Sequence, residues 1–121
     1  MVETAVDGPL DWLRKTMASA RLEALKKLAE QDPSNTFVRY GLAQEYANGG
    51  NLDEAVGEYR SLIEMNPDYA ASYFHCGQVL ERLERVEEAR AVYETGIEVT
   101  TRLGDGHTRS EIQAALDLLG L

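Results

Sequence analysis

The chain has 121 residues, of which 44% are hydrophobic, and a formal net charge of −9 from 21 acidic and 12 basic residues. This length suits one domain with a modest core, and the apolar fraction is ordinary for a globular protein and argues against disorder. An acidic surface repels phosphate, so we expect neither nucleic acid nor an anionic membrane among the partners.

The cysteine count and the apolar segments bear on the compartment. The one cysteine, Cys76, cannot form an internal disulfide, which is typical of a reducing compartment. No apolar run reaches the length of a membrane span, and the segment starting at Met1 lacks the basic start and apolar stretch of a secretory signal. We therefore expect a cytoplasmic protein.

The first predicted element lies in residues 9–31. Pro9 and the acidic Asp11 suit the first turn of a helix, and an apolar stripe follows until Pro33 prevents continuation. The segment is either one long helix or two abutting helices. Residues 1–16 are an upstream extension, a vector-derived piece or a capping segment, and the sequence leaves these alternatives open. The apolar positions are Leu10, Leu13, Met17, Leu22, Leu25, Leu28 and Ala29.

The next two predicted helices lie in residues 36–69. Val38, Leu42 and Tyr46 recur at the spacing of one helical face. The composition Asn-Gly-Gly-Asn at 48–51 is typical of a tight turn. The helix after this turn carries Ala55, Tyr59, Leu62 and Ile63 on one face and ends ahead of Pro67.

The same arrangement returns in residues 70–103, because the sequence matches itself at an offset of 34 residues without a gap. Small residues recur where paired helices would touch, and tyrosine recurs where space opens beside them. Small beside large at fixed offsets predicts helices that interlock. The matched pairs of this kind are Ala43 and Gly77, Ala55 and Ala89, and Tyr59 and Tyr93.

A last helix is predicted in residues 104–121. The glycine-rich segment 104–106 interrupts the preceding pattern. Thr108 and Glu111 match a capping box that would start a helix. We expect this helix to cover the end of the repeats. Its apolar face consists of Ile112, Ala115, Leu116 and Leu119.

Together these patterns resemble the tetratricopeptide repeat family, whose motif is a large residue, Leu-Gly, Tyr, Ala, an aromatic residue, Ala and Pro. The repeat at 36–69 departs from that motif at Arg39, and the repeat at 70–103 has Thr101 in place of the closing proline. The resemblance implies an all-α fold, an α-solenoid of antiparallel helix pairs. Two full repeats would lie between a degenerate repeat helix at 17–35 and a C-terminal capping helix. The matching residues are Leu42, Ala43, Tyr46, Ala55, Tyr59, Leu62 and Pro67, and then Tyr73, Cys76, Gly77, Leu80, Ala89, Tyr93 and Gly96.

The resemblance also implies a concave groove, lined by the first helix of each repeat, in which ligands of this family usually lie. Leu42 and Tyr46 would point into the stack, which leaves other positions of that helix towards the groove. The set combines aromatic side chains with amides that can hydrogen-bond a peptide backbone. Scattered surface aromatics are also common without a function, and some could pack on the N-terminal helix. The predicted groove residues are Phe37, Tyr40, Gly41, Gln44, Asn48, Ala71, Phe74, His75, Gln78, Arg82 and, in the terminal segment, Arg109.

These features predict a non-catalytic protein–protein interaction module that binds a peptide or partner protein in the groove. Family members that grip the C-terminal carboxylate of heat-shock chaperones use lysine and asparagine where this chain has Tyr40, Gln44 and His75. That clamp is absent, which argues against a chaperone tail as the ligand. Because two repeats are few for a stable stack, the alternative is a self-assembly module that forms a homodimer through its repeat ends.

A catalytic or metal role would rest on His75 and Cys76. Neighbouring side chains on a helix point about 100° apart, so the pair is poorly placed to bind one metal ion. Cys76 also stands where the repeat has a core leucine. The sequence has no nucleophile motif or phosphate-binding loop, and acidic pairs such as Glu87 and Glu88 suit a solvated helix face. We therefore expect no enzymatic activity, no cofactor and no metal.

Overall fold

The computed structural model describes residues 8–120, and all regular secondary structure in that range is helical. Each helix packs mainly against its neighbours in the chain, and α4 also contacts α6. The predicted all-α solenoid of helix pairs is confirmed. None of the helices in residues 8–120 combines the length and the apolarity that a membrane span requires. The helices are α1 Pro9–Gln31, α2 Thr36–Asn48, α3 Leu52–Met65, α4 Ala71–Arg82, α5 Val86–Leu103 and α6 Gly106–Leu119.

The N-terminal segment forms one continuous helix, which decides between the one-helix and two-helix alternatives. α1 begins with Pro9 in its first turn and continues without a break. It packs on α2, where Leu25 would lie 3.5 Å from a Cβ added to Gly41. Residues 1–7 lie outside the described residues, and residues 9–16 belong to α1.

The core lies between the paired helices, where small residues admit aromatic rings. A Cβ added to Gly77 of α4 would lie 2.1 Å from the Tyr93 ring of α5, so only glycine leaves room for this ring. Ala43, Ala55 and Ala89 are likewise fully buried at the helix contacts. The predicted interlocking of small and large residues is confirmed.

The turns within the two helix pairs each contain a residue with a left-handed backbone conformation at the same position of the repeat. Gly50 connects α2 to α3 with φ 83°, and Glu84 connects α4 to α5 with φ 61°. Glycine adopts this left-handed region without steric penalty, whereas the Glu84 side chain makes it unfavourable. Because these two residues are 34 positions apart, the repeat in the sequence is also a repeat in the backbone.

The start of α6 differs from the predicted capping box. α5 ends at Leu103, Gly104 caps it with a left-handed φ of 72°, and α6 begins at Gly106. The Asp105 side chain accepts a hydrogen bond from the Thr108 backbone N–H at 3.1 Å. The box predicted for Thr108 and Glu111 is therefore wrong, because an aspartate before the helix supplies the cap.

The helix α6 covers the end of the second pair with its apolar face, as predicted. Ile112 is fully buried, and a Cβ added to Gly96 of α5 would lie 2.9 Å from its Cδ1. Ala115, Leu116 and Leu119 pack against the same core. The second pair is thus closed on the α6 side.

Candidate functional site

A depression of about 230 Å³ opens between α2 and α4, and we call it the α2–α4 groove. Its floor includes Ala47, Tyr59 and Val79, and its polar lining comes from residues that the sequence indicated. Both helices contribute residues near their carboxyl ends. The predicted residues that the structure brings together here are Gln44, Asn48, His75, Gln78 and Arg82.

At one end of the α2–α4 groove, further aromatic rings pack around Tyr59 and His75, the two ring-bearing residues of its lining. His75 stacks on Tyr59 with ring centroids 6.2 Å apart and an interplanar angle of 17°. Tyr40 meets the His75 ring edge-on at 5.6 Å, and Phe74 meets it at 5.3 Å. Tyr69 contacts Tyr40 at 5.4 Å. Such pairs add about 0.5–1.5 kcal/mol beyond their burial, so this end of the groove is a rigid, mostly apolar wall.

The His75 and Tyr40 side chains of this wall are uncharged at neutral pH. Burial lowers the pKa of the His75 imidazole, and the Glu111 carboxylate on α6 opposes that shift only in part. Burial also raises the pKa of the Tyr40 hydroxyl, which accepts a hydrogen bond from Gln44 Nε2 at 3.3 Å. The wall therefore offers neutral hydrogen-bonding groups to a ligand.

The other end of the groove is polar and carries a positive charge. Arg82 Nη1 donates a hydrogen bond to the Ala47 carbonyl at 3.4 Å, across the seam between α2 and α4. The amides of Asn48 and Gln78 line the same end. Three hydrogen-bonding side chains thus surround an opening that faces solvent.

The remaining predicted groove residues lie elsewhere. Phe37, at the start of α2, is 82% exposed, and Ala71 is half-buried at the start of α4. Arg109 Nε donates to Thr101 Oγ1 of α5 at 2.9 Å, which directs this guanidinium towards α5. Gly41 faces α1, whose leucine side chain would contact a Cβ there. The structure does not bring these four residues into the α2–α4 groove.

Two residues of the aromatic end, and the Glu111 carboxylate that acts on His75 from α6, were not indicated by the sequence. Tyr69 lies in the turn before α4, where no helical period assigns it to a face. Tyr59 was assigned to the core, and the structure shows that its buried ring also reaches the groove. Glu111 comes after α5, which has 18 residues, whereas the equivalent helix α3 has 14. Because of this difference, the offset of 34 residues does not predict where Glu111 lies.

Cys76 is a core residue, as its position in the repeat predicted. It has no exposed surface, and burial raises the pKa of its thiol to about 11, so the thiol stays protonated and unreactive at neutral pH. Within residues 8–120, no three histidine, cysteine, aspartate or glutamate side chains gather closely enough to hold a metal ion.

Comparison with known proteins assigns this helical-repeat scaffold to a family. The family model of the tetratricopeptide repeat matches residues 40–98. The crystal structure of a tetratricopeptide repeat domain protein from Salinibacter ruber is similar at 37% identity, covers 71% of this chain and 96% of that chain, and has a TM-score of 0.67. The chain belongs to the tetratricopeptide repeat family.

Two further proteins resemble the chain over most of its length. A TPR repeat-containing protein of Pseudomonas aeruginosa is 24% identical over 95 residues, which are 78% of this chain and 90% of that protein. PcrH, solved in complex with the chaperone binding region of PopD, has a TM-score of 0.79 at 12% identity, covering 92% of this chain and 84% of that chain. At this identity PcrH shows the shared fold alone.

Proposed function

We propose that the chain is a non-catalytic protein–protein interaction module that holds a segment of a partner protein in the α2–α4 groove. The tetratricopeptide fold by itself suggests an interaction module. The observation that carries the finer proposal is the groove lining, which places the amides of Gln44, Asn48 and Gln78 beside a rigid aromatic wall. Rigid rings with adaptable amides suit the capture of a peptide backbone. That PcrH, with the same fold, was solved with a region of PopD supports the proposal.

The four glutamines of the chain provide a matched test, because two of them line the groove and two do not. Peptides would be selected on the wild-type protein from a random-peptide display library, and their affinities measured by fluorescence anisotropy. Gln44→Ala combined with Gln78→Ala should weaken binding about tenfold, because each lost hydrogen bond contributes roughly 0.5–1.5 kcal/mol.

The control variant combines Gln31→Ala with Gln113→Ala, which removes the same two side chains outside the groove. It should bind the selected peptides as the wild type does, and the thermal unfolding midpoints should show that both double variants are folded. Equal affinities of the two double variants, or no peptide selected by the wild type, would contradict groove binding.

Self-assembly is a second candidate, supported by an apolar stripe on α1. Leu10, Leu13, Met17 and Leu28 recur at helical spacing and are 70%, 44%, 56% and 47% exposed among the described residues. Exposed apolar stripes of this kind mark interaction surfaces more often than isolated apolar residues do. We infer that the homodimer of this second candidate forms through this face of α1.

The mass in solution, measured by sedimentation over a wide concentration range, tests this candidate. A dimer through α1 should be weakened about tenfold or more by Leu13→Glu, because a charge replaces an apolar contact. The control Leu118→Glu places the same charge on α6, where the leucine is 68% exposed. A wild-type chain that stays monomeric at all concentrations would eliminate self-assembly.

A further inference from the structure

The lining of the α2–α4 groove carries a charge opposite in sign to that of the chain, which has 21 acidic and only 12 basic residues. The groove lining includes the cation of Arg82 and no carboxylate. A second depression, between α1 and α2, adjoins the groove at Asn48 and is lined by Lys15, Arg21 and a single carboxylate, Glu45. A third depression shares Gln78 and Arg82 with the groove and is lined by Glu81, whose carboxylate accepts a hydrogen bond from the Tyr93 hydroxyl. The charged side chain of the groove lining itself is thus a cation, in contrast to the acidic chain as a whole.

The cations that line the groove and the α1–α2 depression beside it differ in whether a carboxylate already pairs with them. Arg21 Nε lies 3.0 Å from a carboxylate oxygen of Glu45, and Lys15 Nζ lies 3.3 Å from one of Asp11. Arg82, in contrast, forms no ion pair with a carboxylate of residues 8–120. Its hydrogen bond to a backbone carbonyl of α2 is long, at 3.4 Å. Of these three cations, Arg82 is thus the one that no carboxylate of residues 8–120 already pairs.

We propose that the partner segment bound in the α2–α4 groove carries an acidic side chain, aspartate or glutamate, which pairs with Arg82. The inference rests on the proposed function, because it assigns the chemistry of the ligand of the same groove. A guanidinium binds a carboxylate through two parallel charge-assisted hydrogen bonds. The neighbouring amides of Asn48 and Gln78 can hydrogen-bond the backbone on either side of that acidic residue.

Two contacts across the seam fix the length of the groove. Tyr40 meets His75 at the aromatic end, and Ala47 meets Arg82 at the cationic end, seven residues further along each helix. A helix rises 1.5 Å per residue, so the two ends are about 10 Å apart. An extended segment advances about 3.3 Å per residue. The bound segment should therefore carry an apolar residue about three positions from its acidic residue.

The test uses peptides selected from the random-peptide display library, resynthesised with glutamate or with glutamine at the acidic position. Wild-type protein should bind the glutamate form about tenfold more tightly than the glutamine form, and Arg82→Gln should bind both forms alike. Arg90→Gln on α5 makes the same change in charge outside the groove and should keep the preference for glutamate. Arg82→Glu should reverse the preference towards a peptide with lysine at that position.

The outcomes separate this inference from the proposed function. Two results would contradict the pairing of an acidic residue with Arg82 and leave groove binding intact. The selected peptides could lack an acidic residue although their binding depends on Gln44 and Gln78, or they could bind Arg82→Gln as tightly as wild type. Peptides that do not depend on Gln44 and Gln78 overturn the proposed function itself. Raising the salt concentration should weaken the glutamate form more than the glutamine form, and equal weakening would also count against the ion pair.

Discussion

Replacing Gly77 with alanine should lower the free energy of unfolding by about 3 kcal/mol, the upper end of what overpacking of a core causes. The added Cβ would lie 2.1, 2.5 and 2.6 Å from three atoms of the Tyr93 ring. The ring is fully buried, and its hydroxyl donates a hydrogen bond to the Glu81 carboxylate. Both the packing and this hydrogen bond prevent the ring from moving away from an added methyl group. The paired helices α4 and α5 must therefore move apart. Urea denaturation at equilibrium measures the loss.

Gly57 provides the matched control for this substitution. It lies within α3, and outside its chain neighbours and the adjacent backbone of its own helix no atom lies within 4 Å of a Cβ added there. Gly57→Ala should raise the free energy of unfolding by up to about 1 kcal/mol, because alanine has the higher helix propensity. The two alanine substitutions are thus expected to have opposite signs. A similar effect at both glycines would show that the contact with Tyr93 is not the cause.

Replacing Tyr93 with alanine should destabilise the protein by about 3–5 kcal/mol, which is the range for truncating a buried aromatic residue. Natural domains have a free energy of unfolding of only about 5–15 kcal/mol. The variant should therefore unfold at a temperature and a urea concentration well below the wild-type midpoints. The lost ring fills the space beside Gly77 and contributes to the core between α4 and α5. Circular dichroism during thermal and urea unfolding measures this effect.

Two further variants separate the parts of the Tyr93 contribution. Tyr93→Phe keeps the ring and removes only the hydrogen bond to Glu81, so it should cost about 1.5–3 kcal/mol, the range for a bond to a charged group. Combining Gly77→Ala with Tyr93→Ala should cost less than the sum of the single substitutions, since the added methyl then enters the vacated space. Strict additivity in this cycle would refute the proposed contact.

The sequence predicted the helix pairs because their packing is local and repeats. Gly77 and Tyr93 are 16 positions apart, and Ala43 and Tyr59 have the same separation. A fixed separation between a small and a large residue is what two helices joined by a short turn require. For the same reason Gln44 and Gln78, which share one position in successive repeats, came together in the groove.

The other features of the fold and of the candidate site depend on geometry that the 34-residue repeat of the sequence does not predict. Arg109 follows the long helix α5, so the offset of 34 residues no longer predicts which way its side chain points. Tyr69 lies in a turn, where helical periodicity gives no direction. The single helix α1 could not be told from two helices, because its apolar stripe is compatible with both. The charge state of His75 depends on burial by residues distant in the sequence.

The way each helix packs mainly on its neighbours in the chain also has a consequence for how the protein folds. Contacts of this kind join residues that are close in sequence, so folding closes only short loops and should be fast. A nucleus formed by either helix pair can grow along the stack in both directions. Local unfolding should begin at α1 and proceed towards the middle of the stack, because α1 packs mainly against α2. The α2–α4 groove lies in the middle of the stack and would thus keep its shape while the end of the chain frays.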